Sequence, residues 1–214
     1  MAQNDLTQGS TIGNISRFSL PYMLSYFLQI LYGLADMFVI GQYCGVDSTT
    51  AVANGAQIMH MFTVIIIGLA MGTTVRLGRA IGAKDKNEAS KTIGNTFTLF
   101  AITAVVATFI LLLANRSIVS MIDTPPEAVK GTIDYLRICF IGIPFIIAYN
   151  IIASIFRGLG DSKSPMYFVI VACVANIALD YIFIGHFGLG PSGAALGTTL
   201  SQMISVIIAA IVIR

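Results

Sequence analysis

Two carboxylates lie inside long apolar stretches of this chain. Asp180 stands in NIALDYIFIG, residues 176 to 185, within an apolar stretch that runs from Met166 to Leu189. Asp36 stands in a second apolar stretch, from Phe18 to Ile40. An ionised side chain in the middle of such a stretch costs about 2.5 to 3.5 kcal/mol in a membrane, so these residues usually face a bundle interior and serve a function. The two carboxylates predict a site for a proton or a metal cation.

Helical spacing gives each carboxylate a polar neighbour. Tyr32 and Asn176 each lie four residues before a carboxylate, at Asp36 and Asp180, so each pair shares one helix face. Desolvation and a like-charged neighbour disfavour ionisation of a carboxyl group, which would suit a proton carrier. The same oxygens, with Asn176 and Thr198, would also suit sodium, because hard cations take oxygen ligands. These residue types do not distinguish a proton from a sodium ion as the bound cation.

These polar side chains lie at a similar depth if the stretches are helices. A rise of about 1.5 Å per residue places Asp36 about 27 Å from Phe18 and Asp180 about 21 Å from Met166. Thr198, near the outer start of the last apolar stretch, falls at a similar level. Three helices would therefore bring polar groups together in the outer half of a membrane.

Composition requires membrane helices to position these groups. Of the 214 residues 56% are apolar and only 10% are charged, with a mean hydropathy of +0.85, whereas a soluble domain has about 25% charged residues. Six stretches reach the length of about 20 residues that a spanning helix needs. The predicted fold is an all-α membrane protein with a bundle of six transmembrane helices. The predicted spans are 18–40, 51–75, 93–114, 138–156, 166–189 and 193–213.

The distribution of basic residues predicts the orientation. Residues 1–17 form a mostly polar segment without a basic cluster, so the first span is not a signal peptide. With this segment in the cytoplasm, nine basic residues lie inside and only Arg116, Lys130 and Arg137 lie outside. We expect a multi-pass protein of the plasma membrane with a cytoplasmic N-terminus. The scattered charges do not form a nucleic-acid-binding patch.

Small residues and prolines predict how the helices pack. Gly68 and Gly72, and likewise Gly193 and Gly197, have the spacing that allows close helix contact in lipid. Pro144, well inside the fourth span, predicts a kink. The three cysteines are odd in number and are expected to be apolar packing residues.

A structural interpretation of the buried polar residues stays open. Polar side chains often join membrane helices by hydrogen bonds, and this suffices for a single Asn or Thr. The weaker signals are Gln57, His60 and Asn150, and a lone histidine among apolar residues is more often a satisfied core residue than a ligand. Two carboxylates at one depth favour function instead.

Four ordered segments resemble one transporter family. They are LPYMLSYFLQILYGLADMFVIGQYCG at 20–45, GRAIGAKDKNEA at 78–89, FRGLGDSKSPM at 156–166 and NIALDYIFIGHFGLGPSGAALGT at 176–198. Together they resemble the amino-terminal half of the multidrug and toxic compound extrusion (MATE) family. The resemblance covers nearly the whole chain in the family's order and spacing.

The resemblance implies antiport, in which entry of a proton or sodium ion drives export of amphipathic, often cationic, compounds. It requires no cofactor besides the coupling ion. The family's cation-coupling positions fall on Asp36, Asn176, Asp180 and Thr198. Pro21 matches a proline linked to bending of the first helix, Tyr32 matches a nearby aromatic position, and Asn150 would face the substrate cavity.

The resemblance also implies a second lobe. Family members have about twelve spans in two lobes, and this sequence ends at Arg214, after the sixth span. We expect a truncated chain that retains a cation site but not transport, or else a homodimer that imitates the full transporter.

Two other functions are less consistent with the sequence. Gly158-Leu159-Gly160-Asp161 matches the GxGD pattern of intramembrane aspartyl proteases, but Asp161 lies at the inner rim without a partner aspartate at its depth, so no enzyme is predicted. A lipid-precursor flippase would be expected to carry Arg or Lys within its spans. None of the six predicted spans contains one.

Overall fold

The computed structural model describes residues 10–213, and this part of the chain is helical throughout. Residues 1–9 of the predicted cytoplasmic segment, and Arg214, lie outside the described residues. The elements are α1 (Thr11–Tyr43), α2 (Val46–Gly82), α3 (Lys86–Met121), α4 (Pro126–Ile141), α5 (Ile143–Gly158), α6 (Lys163–Asp180), a π-helical segment (Tyr181–His186) and α7 (Pro191–Ile213).

Length and composition allow six membrane crossings. Five helices qualify on their own, α6 being counted with the π-helical segment, and α4 and α5 qualify together as one bent span. Only 11% of the most apolar part of α3 is buried inside the chain. Side chains such as Leu113 on α3 and Phe38 on α1 are exposed although they are large and apolar. Such surfaces fit contact with lipid or with further protein rather than water.

The fourth span is bent by 52° between α4 and α5. The predicted kink is present, and its break lies at Gly142, two residues before Pro144. Pro144 falls in the first turn of α5, where its missing N–H costs little. The new helix starts on the Gly142 carbonyl, which accepts from the N–H of Phe145 at 3.0 Å. Gly142 also lies against Thr199 of α7, where a Cβ would overlap the threonine side chain.

A tight hairpin joins α6 to α7. Gly188 and Gly190 have φ of 65° and 54°, a left-handed conformation that glycine adopts without strain. This turn lets α7 return along α6, and Gly193 then lies against the backbone of Phe183. The predicted close packing at Gly193 and Gly197 is confirmed.

The same prediction is wrong for Gly68 and Gly72 within the described chain. Both are exposed, and a Cβ added at either position would meet nothing within 4 Å. Helix α2 instead packs on α5 through Leu77 and Thr74, which lie against Gly158 of α5. Thr74 and Ser154 join these two helices through hydroxyl groups 2.7 Å apart.

Candidate cation site and adjoining cavity

Helices α1, α6 and α7 bring the four predicted site residues together. The Thr198 hydroxyl donates a 3.2 Å hydrogen bond to Oδ2 of Asp36. The Asp36 carboxyl also interacts with the side chains of Asp180 and Asn176. Asp36 is 5% exposed, and Asn176 and Asp180 are 0% exposed. The cluster joins side chains from three helices, of which α1 is distant along the chain from α6 and α7.

Gly197 makes room for the second carboxylate. Oδ1 of Asp180 lies so close to Gly197 that a Cβ there would overlap it. The α-helix ends at Asp180 and continues as the π-helical segment. Single π-helical turns inside α-helices are rare and frequent at functional sites. The spacing of apolar residues gave no sign of this change in helix type.

The cluster offers oxygen atoms to a cation. Several buried oxygens accept no well-formed hydrogen bond: Oδ1 of Asp36, Oδ1 of Asn176 and both carboxyl oxygens of Asp180. Such atoms are costly in a protein interior unless a proton or cation pairs with them. No group of three or more His, Cys, Asp or Glu suited to a metal occurs among the residues searched. Two carboxylates with amide and hydroxyl oxygens fit a proton or a hard monovalent cation better than a transition metal.

A cavity of about 450 Å³ adjoins this cluster. Its wall comes from α1, α2, α4, α5 and α7 and combines apolar, aromatic and amide side chains. The aromatic part includes Tyr26, Tyr32, Tyr135 and Tyr149. A large, mostly apolar cavity with a few polar groups is typical of small-molecule sites.

Asp36 belongs to both the cavity and the cluster. Asp36 and Thr198 line the cavity, whereas Asn176 and Asp180 lie behind them and do not. Tyr32 also lines it, with its side chain near that of Gln202. Gln202 was missed in the sequence, although it lies four residues after Thr198 and therefore on the same face of α7.

The remaining predicted positions are also placed. Asn150 lines the cavity and donates from Nδ2 to its own helix at Ile146, at 2.8 Å. Gln57 and His60 line it as well, from α2, and both are exposed there, so His60 is not a satisfied core residue. Pro21 lies within α1, before the residues of this helix that line the cavity, and its carbonyl accepts from the Ser25 hydroxyl at 2.8 Å.

The hydrogen bonds of Asp161 have a structural role. Its Oδ1 accepts from the backbone N–H groups of Lys163 and Ser164, and its Oδ2 accepts from the Ser164 hydroxyl. These bonds satisfy donors at the start of α6, as a capping residue does. The GxGD pattern therefore marks a helix start.

The helical bundle, with its long apolar helices, buried carboxylates and adjoining cavity, defines a multi-pass membrane protein. The MatE family model matches residues 21–182 of the chain. The chain therefore belongs to the MATE family, whose members are transporters and not enzymes.

Curated relatives support this assignment. The chain is 34% identical over 209 residues to the probable multidrug resistance protein YpnP of Bacillus subtilis, covering 96% of this chain and 46% of the relative. It is 31% identical over 205 residues to the probable multidrug resistance protein YoeA of the same organism, covering 94% of this chain and 44% of the relative. The chain thus spans about half the length of these relatives.

Solved structures share the fold. A MATE protein crystallised in the bent conformation matches 98% of this chain and 47% of its own, with a TM-score of 0.91 and 31% identity. An outward-facing multidrug resistance MATE transporter also gives a TM-score of 0.91 and 31% identity, with 98% and 46% covered. The described residues have the architecture of one lobe of such a transporter.

Proposed function

We propose that this chain forms the amino-terminal lobe of a secondary active antiporter that exports amphipathic or cationic compounds in exchange for H⁺ or Na⁺. The main supporting observation is the position of Asp36, which lines the cavity and lies beside the buried pair Asn176 and Asp180. One carboxylate can therefore respond to a substrate on one side and to an ion on the other. The names of the relatives support a drug-export role for the family.

The coupling site consists of Asp36, Asn176, Asp180 and Thr198. When the ion binds, its positive charge offsets one negative charge of the carboxyl pair, and a cationic substrate in the cavity is attracted less strongly by Asp36. The ion and the substrate then compete, which is the requirement for antiport. The buried oxygens without well-formed hydrogen bonds support ion binding at this cluster.

Bending of α1 would convert ion binding into expulsion of the substrate. Pro21 removes one backbone hydrogen bond from the helix, which makes this position a natural hinge. The wall residues Tyr26 and Tyr32 lie between Pro21 and Asp36. A bend at Pro21 would therefore move this wall of the cavity and reduce its volume.

The proposed location is the plasma membrane, with the N-terminus in the cytoplasm. The distribution of basic residues supports this orientation. A complete transport cavity would also need a partner lobe, from a longer chain or from a second copy, because the relatives are about twice as long.

The test is reconstitution of the chain in liposomes. Export of a fluorescent cationic dye is followed under imposed proton and sodium gradients, and saturable ion binding is measured on the same preparation. Asp180→Asn removes the charge while keeping the shape of the side chain. Asp47→Asn, at an exposed position in the first turn of α2, is the matched control.

Each outcome decides a different part of the proposal. Gradient-driven export that is lost in Asp180→Asn and kept in Asp47→Asn would establish antiport by this lobe and name the ion. Ion binding lost in Asp180→Asn without any export would support the coupling site and assign transport to a two-lobe assembly. Folded protein with neither export nor ion binding would refute the proposal.

A further inference from the structure

His60 brings an ionisable side chain into the cavity from the middle of α2. It is exposed and lines the cavity wall, near the centre of a 37-residue helix. Ionisable residues inside membrane helices are costly and usually functional. His60 has no place in the cation cluster, which comes from α1, α6 and α7. Its position therefore indicates a role separate from that of the cation cluster.

The other helices of the cavity wall also contribute side chains that face the cavity with His60. The titratable ones are Tyr26, Tyr32 and Asp36 of α1, Tyr135 and Cys139 of α4, and Tyr149 of α5. Helix α7 contributes Thr198 and Gln202, which do not titrate, and no described residue of α3 lines this cavity. Phenol and thiol groups are ordinarily uncharged between pH 5 and 8. Besides the carboxyl group of Asp36, the imidazole of His60 is thus the wall group that can carry a charge.

We propose that His60 is a specificity-determining residue that makes cation binding in the cavity depend on pH. Its neutral imidazole admits a lipophilic organic cation, and its imidazolium form repels one. Histidine is the side chain that ordinarily changes charge between pH 5 and 8. This role rests on the proposed function for its substrate class, and it adds a proton-linked step distinct from Asp36 and Asp180.

The sign of the effect follows from the charge of histidine. A fall in pH adds a positive charge to the cavity wall and weakens binding of a cation. By linkage, a bound cation must weaken proton binding at His60 by the same factor. Two like charges within a cavity of this size should oppose each other by about tenfold in affinity.

The experiment uses the chain in lipid nanodiscs with two probes. Tetraphenylphosphonium is a permanent cation, and triphenylphosphine oxide is an uncharged molecule of related shape. Their dissociation constants are measured at pH 5.5 and 8.0 for the wild type, His60→Gln and His186→Gln. His186, exposed at the end of the π-helical segment and absent from the cavity wall, is the matched control. Imidazole NMR titrations follow His60 with and without each probe.

The expected result is a smaller pH dependence for the cation alone. His60→Gln should reduce the pH dependence of tetraphenylphosphonium binding by about tenfold, while His186→Gln and the uncharged probe show no change. Tetraphenylphosphonium should in turn weaken proton binding at His60. Full pH dependence in His60→Gln, or proton binding at His60 unchanged by the cation, would overturn the role. If folded wild-type protein bound no tetraphenylphosphonium at pH 8.0, the proposal of a cationic substrate would be refuted, and so would the proposed role of His60.

Discussion

Asp36 and Asp180 have different access to the cavity although they interact with each other. Asp36 lines the cavity, and Asp180 lies behind it, against Gly197. An ion that enters from the cavity must pass Asp36 before it reaches Asp180. A substrate cation, in contrast, meets Asp36 directly and Asp180 only through the intervening protein. The two carboxylates should therefore be equivalent for ion binding and unequal for substrate binding.

This inequality gives a prediction for the two isosteric variants. Asp36→Asn should weaken binding of a permanently cationic dye by about tenfold or more, because it removes a negative charge from the cavity wall. Asp180→Asn should weaken it less than threefold, as expected for a charge that lies farther from the dye. Fluorescence titration of the dye gives both values, with an uncharged dye as the control. Equal losses in the two variants would show that the cavity does not separate these residues.

A second residue-scale prediction concerns Gly197. Gly197→Ala places a Cβ on the Asp180 carboxyl group, and overpacking of this kind costs about 1 to 3 kcal/mol. We expect a lower thermal unfolding temperature in detergent together with weaker ion binding. Gly68→Ala is the matched control, since an added Cβ there meets nothing within 4 Å and alanine is the better helix former by up to about 1 kcal/mol. A stable Gly197→Ala protein with normal ion binding would contradict this packing.

At the scale of the elements, the break between α4 and α5 is held by packing as well as by proline. Pro144 lies in the first turn of α5, where a backbone N–H has no partner within the helix, so this position does not require proline. Gly142 instead lies against Thr199, where a larger residue does not fit. We therefore expect Pro144→Ala to change the free energy of unfolding by less than about 1 kcal/mol, and Gly142→Ala to lower it by about 1 to 3 kcal/mol.

Spin labels on α4 and α5 would show whether the bend persists in each variant. Retention of the 52° bend in Pro144→Ala, with destabilisation confined to Gly142→Ala, would assign the bend to the contact with α7. A straight α4–α5 helix in Pro144→Ala would assign it to the proline.

The sequence predicted elements better than contacts. Apolar length located the spans, since a membrane helix needs a long apolar stretch whatever its partners are. Spacing on a helix face paired Asn176 with Asp180 and Tyr32 with Asp36. The π-helical segment and the break at Gly142 depend on contacts with neighbouring helices. A single sequence does not show which helices will be neighbours. The glycine spacing was equally good at 68–72 and 193–197, yet only the second pair meets another helix in the described chain.

The whole molecule has a surface and a charge distribution that together suit one orientation. Large apolar side chains are exposed over the described helices, as contact with lipid or with a second lobe requires. Counting α4 and α5 as one span gives six crossings. An even number of crossings places both ends of the lobe on one side, so every connection has a predicted side.

Labelling of two connections tests this orientation. Lys86 begins α3 after the basic connection, and Glu127 lies at the start of α4 on the opposite side; both are exposed. In a Cys44→Ser background, the two other cysteines being buried, Glu127→Cys should react with a membrane-impermeant maleimide in intact cells. Lys86→Cys should react only after permeabilisation. The reverse pattern would place the N-terminus outside. Asp36 and Asp180 would then lie nearer the cytoplasm, and the direction of the proposed antiport would have to be inverted.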